Sequence, residues 1–428
     1  MEPLSGTRDF YPEDMRIREW LFTKWKQVSE KFGFSQYDAP ILELSSLYTK
    51  KGGDDIINEM YCFKDKEKRD VCLRPEMTPS LARMVMKILK EEILPLKWFS
   101  IAQCWRFETT TSFRKREHYQ WNVDIFGSVL IKSDAEILSL IVTFLKEIGF
   151  TENDIIIKIS NRQILQNILK KKNIDKENLI KTFNIIDKIN KLPKEEIINL
   201  FKNQIGLNDD DINFILNLIN LKKIDEFEIL LDIDDDSMKQ MKNIFFLTKS
   251  YGIDKWIEFD ISIVRGLTYY TGIVFEGFFK SCDIKRSIFG GGRYDNLLET
   301  YGYPKSVPAI GFGMGDIVIL EGLKLLNKLP RFDENIEFCI ISYNDEMFPH
   351  AINITNRLRD HNKKVNLYMK TDKKIKLAFS YADRIGANKV IFVAPNEIKD
   401  NKMVLKDLRN TEDKELIVEI DNFFNNLV

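Results

Sequence analysis

The chain lacks any apolar run that approaches the ~20 residues of a membrane-spanning helix, so the sequence predicts no membrane span. Its first residues lack a basic segment followed by an apolar one, which argues against a secretory signal peptide. It also lacks an excess of either charge, because 64 basic and 65 acidic residues leave a net charge of −1. A face that binds nucleic acid would therefore have to be a local basic patch.

Closely spaced cysteine pairs are missing as well. The chain has five cysteines and no Cys-x-x-Cys pair, which argues against a structural zinc site, and we expect no resident metal ion. An odd number of scattered cysteines is typical of a reducing compartment, so we expect a cytoplasmic protein. The hydrophobic content of 44% is ordinary for a globular chain with a sizeable core.

The length of 428 residues predicts two to three domains, and shifts in composition mark their limits. Residues 164–251 are rich in Ile, Leu, Lys and Asn at helical spacing, which predicts a helical insertion. Pro330 begins a short linker, after which strand and helix patterns alternate, as is typical of an α/β domain. We therefore predict a first domain over residues 1–328, which contains the insertion, and a second over residues 336–428.

Local patterns predict several elements of the first domain. Leu21, Trp25 and Val28 recur at helical spacing, and Gly33 follows them as a helix C-cap. Gln120 and Asp124 have an even spacing, so they share one face if they lie on a strand. Short strands are predicted over residues 70–73, 98–106, 116–127 and 273–279.

Two segments in the second half combine residues suited to a small polar ligand. Residues 264–272 place Arg265 next to Tyr269 and Tyr270, and residues 289–297 contain three glycines followed by an arginine. Glycines let a ligand approach the backbone closely, and tyrosine hydroxyls can hydrogen-bond it. An arginine beside them suits an anionic transition state.

Two further segments carry charged residues at suggestive spacings. Residues 105–120 contain Arg106, Glu108 and Arg114, and residues 73–78 read Leu-Arg-Pro-Glu-Met-Thr. Arginines placed in advance stabilise charge that develops during phosphoryl chemistry, and a carboxylate suits an ammonium group in a partly dry pocket. Taken alone, the first segment is also compatible with surface ion pairs and the second with a helix start. Taken alone, Asp124 is better explained as a solvated residue at a strand end than as a ligand-binding one.

Together these segments resemble the histidyl-tRNA synthetase family of class II aminoacyl-tRNA synthetases. Residues 264–272 and 289–297 are similar to its histidine-specific signatures, residues 105–120 to motif 2, and residues 37–40 to motif 1. The resemblance implies an α+β fold, with a class II antiparallel-sheet catalytic domain, a helical insertion and a C-terminal α/β anticodon-binding domain. It covers nearly the whole chain except the insertion, which matches only in placement.

The resemblance also implies an activity. A member of this family is a histidine–tRNA ligase that uses ATP and Mg²⁺ to form histidyl-adenylate and transfers the histidine to tRNA(His), as a homodimer. Residues 116–122 look like the cyanobacterial and plastid branch of the family. A plastid-type organelle is therefore an alternative to the cytoplasm.

Individual roles follow from the same resemblance. Arg265 and Arg106 are predicted to be catalytic, because both would contact the α-phosphate during activation, and Asp124 would meet the imidazole of the substrate. Arg293 is predicted to tie the glycine strand to its neighbours instead. The predicted ATP-binding residues are Arg106, Glu108, Arg114 and His118. The predicted histidine-binding residues are Glu76, Thr78, Arg106, Gln120, Asp124, Arg265, Tyr269, Tyr270 and Gly291.

Three positions depart from the family pattern. Residues 316–318 read Asp-Ile-Val, without the arginine that motif 3 usually carries against one face of adenine. His118 replaces the aromatic residue that usually covers the other face, and Thr268 replaces an aspartate. The chain is then either a member of a subgroup that holds ATP differently, with His118 stacked on the base, or a paralogue that has lost activation. Retention of the other site residues favours the subgroup.

Two other functions compete with the ligase. The first is a regulatory protein with the same catalytic fold, such as the synthetase-like regulatory subunit of ATP phosphoribosyltransferase. The predicted C-terminal α/β domain argues against it, since that paralogue generally lacks one. The second is a general RNA-binding module, for which the nearly neutral net charge offers little support.

Overall fold

The computed structural model describes residues 1–49, 54–129, 131–172, 174, 176–189, 192–231, 235–264, 269–332, 336–371, 375–410 and 415–427. The chain divides into two compact units, Met1–Pro330 and Arg331–Val428. Within the described ranges, no helix has the length and apolar character needed to cross a membrane.

The elements of the first unit run as follows along its described residues. The strands are β1 Ser35–Gln36, β2 Leu42–Leu44, β3 Tyr61–Lys64, β4 Asp70–Leu73, β5 Leu96–Trp105, β6 Glu117–Phe126, β7 Ile155–Asn161, β8 Ile257–Phe259, β9 Ile273–Phe279, β10 Phe289–Arg293 and β11 Ala309–Gly315. The helices are α1 Pro12–Lys31, α2 Ser46–Thr49, α3 Asp54–Glu59, α4 Thr78–Ile88, α5 Ile131–Glu147, α6 Arg162–Lys171, α7 Lys176–Ile186, α8 Lys194–Leu200, α9 Asp209–Leu218, α10 Asp236–Ser250, α11 Leu297–Thr300 and α12 Asp316–Leu325.

One large sheet organises this unit, with the strand order β1-β5-β6-β11-β10-β9-β7-β8. From β5 to β7 every neighbouring pair is antiparallel, and only the outermost pairs, β1 with β5 and β7 with β8, are parallel. A second, smaller sheet has the order β2-β4-β3. The antiparallel sheet and its surrounding helices confirm the predicted α+β fold.

The main core lies between one face of the large sheet and the helices α1 and α5. Trp121 of β6 stacks on Trp25 of α1, with ring centroids 5.9 Å apart, and meets Phe144 of α5 edge-on at 5.1 Å. All three side chains are completely buried, and such pairs contribute about 0.5–1.5 kcal/mol each beyond the area they bury. The predicted helix with Leu21, Trp25 and Val28 on its buried side is therefore confirmed as α1.

The helical insertion consists of α6 to α10, and it begins two residues earlier than the predicted position 164. The Asn161 side chain accepts a hydrogen bond from the Gln163 amide at 3.0 Å and so caps α6. The apolar pattern begins only at Ile164, because the first turn of a capped helix need not contribute apolar side chains.

The second unit alternates strands and helices as predicted. Its described strands are β12 Phe338–Ser342, β13 Val365–Leu367, β14 Lys389–Val393, β15 Lys402–Asp407 and β16 Leu416–Glu419, and its helices are α13 Phe348–Asp360, α14 Ile375–Arg384, α15 Pro395–Lys399 and α16 Ile420–Asn425. The sheet order is β13-β12-β14-β15-β16, in which β13, β12 and β14 are parallel and the last two pairings are antiparallel.

An arginine near the N-terminus joins two buried carboxylates, one at the start of β6 and one at the start of α12. Arg8 donates from Nε to Glu117 at 2.7 Å and from Nη1 to Asp316 at 2.9 Å. Glu117 and Asp316 are only 2% and 1% exposed. Burial raises the pKa of the Asp316 carboxyl, although the neighbouring Arg8 charge acts in the opposite direction. The N-terminal segment is thus held to the sheet by one cation shared between two acids.

We expect Arg8→Ala to lower the free energy of unfolding by about 3–5 kcal/mol, because it leaves two buried carboxylates without their partner. Urea titration of wild type and variant at pH 7.5 would measure the change. Arg69→Ala is the matched control: Arg69 is 57% exposed and pairs with Asp65, so its loss should cost less than about 1 kcal/mol. Equal effects of the two substitutions would contradict a structural role of Arg8.

Candidate active site

Alternate residues of β6 point to opposite faces of the large sheet. Trp121 and Val123 belong to the core beneath α1 and α5, whereas Gln120, Asn122 and Asp124 line a cavity on the opposite face. This alternation follows from the two-residue period of a strand. The structure therefore brings Gln120 and Asp124 together on one face, as their even spacing predicts.

Glycines of the neighbouring strand β11 leave room for these side chains. Gly311 lies opposite Asp124 in the ladder, and Gly313 lies opposite Asn122. A Cβ atom at Gly311 would lie 2.1 Å from Asp124 Oδ1, and one at Gly313 would lie 2.6 Å from Gln120 Nε2. Glycine is required at both positions, because any larger residue would displace the polar groups of β6.

The smaller of two adjoining cavities has a volume of about 70 Å³ and contains most of the predicted histidine-binding residues. The predicted residues that line it are Glu76, Thr78, Arg106, Gln120, Asp124, Tyr269 and Tyr270. The remaining lining residues are Asn122, Gly290, Tyr294, Gly311, Phe312 and Gly313. The cavity thus combines acidic and basic groups in a small, polar enclosure.

Asp124 is the most unusual group of the smaller cavity. It is 1% exposed, and its Oδ1 accepts a hydrogen bond from the Tyr294 hydroxyl. Burial raises the pKa of the Asp124 carboxyl to about 7, although the hydrogen bond from Tyr294 acts in the opposite direction. Oδ2 has no hydrogen-bond partner among the described residues. Because buried polar atoms are normally paired, this oxygen is suited to accept an N–H from a ligand.

A second carboxylate lies where the chain enters α4. Glu76 and Thr78 are each 7% exposed, and the Tyr269 hydroxyl donates to Glu76 Oε2 at 3.4 Å. A buried carboxylate of this kind suits an ammonium group. Since Arg106 also lines the cavity, the set of charges fits a zwitterion that carries one additional N–H donor.

The larger cavity has a volume of about 170 Å³, and all four predicted ATP-binding residues, Arg106, Glu108, Arg114 and His118, line it. Its other lining residues are Phe113, Lys115, Gln120, Arg286, Ser287, Ile288, Phe289, Gly290, Gly313, Gly315, Ile317 and Val318. Arg106, Arg114, Arg286 and Lys115 supply four positive charges against the single carboxylate of Glu108. This excess favours a polyanion.

Glu108 is the point at which three arginines of the larger cavity meet. Its side chain is 8% exposed, with Arg114 Nε at 3.0 Å, Arg286 Nη2 at 3.7 Å and Arg106 Nη1 at 4.0 Å from its carboxylate oxygens. One buried carboxylate therefore keeps three guanidinium groups close together. It reduces their mutual repulsion and leaves a net positive charge for a ligand.

His118 lies in the larger cavity as a neutral ring. Burial, followed by the positive charges of Arg106 and Arg8, lowers the pKa of its imidazole to about 3, against the opposing effect of the Gln120 hydrogen bond. The imidazole is therefore uncharged at physiological pH. A neutral aromatic ring can stack on a planar base without adding charge to the site.

The two cavities meet at a shared set of residues. Arg106, Gln120, Gly290 and Gly313 line both of them. Arg106 is fixed there, since its Nε donates to the Pro75 carbonyl at 3.0 Å. A carboxylate in the smaller cavity and a phosphate in the larger one would approach each other at this cation, which is the arrangement that acyl-phosphate formation needs.

For two predicted histidine-binding residues, Arg265 and Gly291, the outcome differs from that of the other seven. Arg265 lies outside the described residues. Gly291 does not line either cavity: a Cβ atom there would meet Phe275 and Phe312, each at 2.6 Å. Since successive residues of β10 face opposite sides, Gly290 is the glycine that borders both cavities, one position before the predicted one.

Among the lining residues that sequence reasoning missed, three carry polar side chains with a place in the argument. Asn122 lies between Gln120 and Asp124 on the same face, so the strand period could have identified it. Tyr294 lies within the signature segment 289–297, but its contact with Asp124 could not be foreseen from it. Arg286 carried no signal, because its place depends on its contact with Glu108.

The prediction for Arg293 is confirmed, because this residue makes structural contacts. It donates from Nε to Asp134 at 3.1 Å and from Nη1 to the Ser128 carbonyl at 2.9 Å. Asp134 lies in α5, so the pair joins β10 to the helix layer.

Comparisons with known proteins agree over both units. A family model described as histidyl-tRNA synthetase matches residues 6–315, and one described as an anticodon binding domain matches residues 337–428. A protein of Arabidopsis thaliana named histidine–tRNA ligase, chloroplastic/mitochondrial, is 42% identical over 415 residues, which cover 96% of this chain and 84% of that relative.

Solved structures share the fold at lower identity. A histidyl-tRNA synthetase from a Nostoc species superposes with a TM-score of 0.79 at 21% identity, covering 100% of this chain and 99% of that one. A Bacillus halodurans protein described as an ATP phosphoribosyltransferase regulatory subunit/histidyl-tRNA synthetase gives a TM-score of 0.76 at 22% identity, covering 92% and 98%. At these identities the likeness establishes the fold alone.

Proposed function

Because the chain belongs to the histidyl-tRNA synthetase family, we propose that it is a histidine–tRNA ligase, which activates histidine with ATP and transfers it to tRNA(His). The observation that carries this proposal is the buried carboxylate of Asp124, with one oxygen that has no partner among the described residues, at the wall of a cavity sized for a small ligand.

The smaller cavity suits histidine in a single orientation. The ammonium group of the substrate would contact Glu76 and Thr78, and its imidazole N–H would donate to Asp124 Oδ2. Its carboxylate would then point to Arg106, at the junction with the larger cavity. An amino acid whose side chain lacks an N–H donor would leave the Asp124 oxygen buried and unpaired, which is the basis of strong discrimination.

The larger cavity suits ATP. Arg106 would neutralise the charge that develops when the histidine carboxylate attacks the α-phosphate, and Arg114 would contact the outer phosphates. Glu108 would orient the adenine, and the neutral ring of His118 would stack on it. Arg265 is proposed to join Arg106 on the basis of its place in the sequence signature.

Mg²⁺ is proposed to enter with the nucleotide. Among the described lining residues of the larger cavity, Glu108 is the only carboxylate, and arginines occupy its surroundings. No cluster of three or more potential metal ligands occurs elsewhere in the described part of the chain. An ion held mainly by phosphate oxygens and water fits the usual behaviour of Mg²⁺ in nucleotide sites.

The remaining proposals concern partners and location. The second unit would bind the anticodon of tRNA(His), since it matches the anticodon-binding model. A homodimer is supported by exposed apolar side chains on the small sheet, namely Leu42, Leu44 and Phe63, which are 46%, 50% and 49% exposed. We propose action in the cytoplasm, with a plastid-type organelle as the alternative suggested by the Arabidopsis relative.

A purely regulatory role has less support. The curated relatives that match nearly the whole chain at 32–42% identity are named histidine–tRNA ligases. Arg106, Glu108, Gln120 and Asp124 also remain together around the two cavities, which a chain without activation chemistry would not need.

The test is ATP–pyrophosphate exchange with each of the twenty amino acids, followed by charging of tRNA(His). We expect exchange with histidine alone, because its imidazole would both donate an N–H to Asp124 and fill the smaller cavity, whereas the shorter amide of Asn or the acyclic amide of Gln would not do both. Histidinol, which lacks the carboxylate, serves as the control that should bind without supporting exchange. Folded protein that binds histidine but catalyses no exchange would overturn the ligase and favour the regulatory paralogue.

A further inference from the structure

An arginine outside the recognised motifs borders the larger cavity. Arg286 lies in the segment between β9 and β10, and its side chain is 35% exposed. Among the described residues its ion-pair partner is Glu108, at 3.7 Å, which is a long contact. Arg293, by comparison, donates hydrogen bonds to the Asp134 carboxylate and to the Ser128 carbonyl. The guanidinium of Arg286 is therefore available to a ligand in a way that the structural arginine is not.

The pairing of β10 with β11 places Arg286 near Ile317 and Val318, which form an aliphatic part of the wall of the larger cavity. β10 and β11 are antiparallel, with Phe289 opposite Met314, so the segment that enters β10 and the segment that leaves β11 lie at the same end of the sheet. The first carries Arg286 and the second carries Ile317 and Val318, and all three residues line the larger cavity. The aliphatic wall of α12 thus has an arginine as its neighbour.

The segment of Arg286 is anchored rather than loose. Ile288 is 2% exposed, and its amide donates to the Gly277 carbonyl at 2.8 Å. Arg286 lies two residues before this hydrogen bond, so the paired backbone holds its segment at the edge of the larger cavity. His118, Ile288 and Val318, which line the same cavity, are uncharged and suit a planar base better than phosphates.

We propose that Arg286 lies against the adenine base of ATP and supplies the cation that the first turn of α12 does not carry. This inference rests on the proposed function and assigns a nucleotide-positioning role to a residue outside the matched motifs. A guanidinium stacks on an aromatic face through its plane and its charge together, so lysine should replace it only in part.

The first experiment compares Arg286→Met and Arg286→Lys with Lys285→Met. Lys285 is the exposed neighbour, so its substitution removes the same charge from the same segment. In ATP–pyrophosphate exchange we expect Arg286→Met to raise the KM for ATP by about five- to thirtyfold, with the lysine variant intermediate. The KM values for histidine and pyrophosphate should stay within about twofold, and Lys285→Met should match wild type. Thermal melting checks that each variant is folded.

The second experiment separates the base from the phosphates without using turnover. Calorimetric titration with ATP and with inorganic tripolyphosphate should show that Arg286→Met weakens only the binding of ATP. Equal weakening of both ligands would overturn the proposal, because Arg286 would then contact phosphates. Unchanged ATP binding would also overturn it and leave a structural ion pair with Glu108. If wild type and Lys285→Met show no exchange, the proposed function fails, and these titrations still decide the base contact.

Discussion

Asp124→Asn is expected to lower kcat/KM for histidine in ATP–pyrophosphate exchange by at least about 10³-fold. The substitution keeps the size of the side chain and its contact with Tyr294, but it removes the carboxylate that would accept the imidazole N–H. An amide nitrogen facing that N–H would leave two donors opposed in a buried cavity, which costs far more than the loss of one exposed contact. Steady-state exchange at varied histidine concentration would measure the effect.

The same variant should be more stable than wild type at pH 8. An aspartate in the unfolded chain has a pKa of about 3.9, whereas the pKa of Asp124 in the folded chain is about 7. Between these values the folded chain binds a proton that the unfolded chain does not, so this residue makes stability fall as pH rises through that window. The advantage of Asp124→Asn should therefore grow from pH 4 to pH 7, reach a few kcal/mol, and level off above.

An exposed aspartate provides the matched control for both measurements. Asp70 is 73% exposed and pairs with Lys64, so Asp70→Asn should change neither exchange nor the pH dependence of unfolding. Exchange by Asp124→Asn within tenfold of wild type would contradict the placement of the imidazole against Asp124. Lower stability of that variant at pH 8 would contradict the raised pKa.

Arg106→Ala is expected to reduce kcat for exchange by about 10²–10³-fold or more. Arg106 lines both cavities and is held by the Pro75 carbonyl, so its charge lies where the carboxylate and the α-phosphate would react. Its contribution should be larger in the transition state than in the substrate complex, so kcat should fall more than either KM rises. Initial rates over a grid of histidine and ATP concentrations would separate these parameters.

Two further substitutions, Arg106→Lys and Arg69→Ala, serve as comparisons for Arg106→Ala. Arg106→Lys keeps the charge but loses the planar fork of donors, so its activity should lie between those of wild type and alanine. Arg69→Ala removes an arginine that is 57% exposed and should leave exchange unchanged. A rise in KM alone, with kcat preserved, would mean that Arg106 binds substrate without stabilising the reacting charge.

The sequence predicts the secondary structure well where a helix or strand has a clear apolar periodicity of its own. β4 and β9 have the predicted bounds, and α1 buries the side predicted from its periodicity. The two last strands, β15 and β16, were not recognised as strands. Apart from Met403, which is buried, their residues are only partly buried or exposed, so they lack the strong apolar alternation that marks a strand in a core.

The site could be predicted as a set of residues but not as a set of contacts. Glu76, Thr78, Gln120 and Asp124 were identified by resemblance, and the structure places them around one cavity. Their individual roles, like that of Arg265, stay predictions until the variants are measured. The role of Gly291 likewise stays a prediction. The structure places its neighbour Gly290 at both cavities, because the face of β10 that meets the cavities is set by the tertiary structure.

The sequence by itself determined the family, the α+β fold and the kinds of side chain available for catalysis, because these depend on local pattern and on motifs read along the chain. Only the tertiary structure decided that Asp124 keeps one oxygen without a partner among the described residues, and that Arg286 borders the nucleotide cavity. Those properties arise from burial and from partners distant in sequence, such as Tyr294, which lies 170 positions from Asp124. Only folding brings such groups close enough to exclude water and to shift one another's charge.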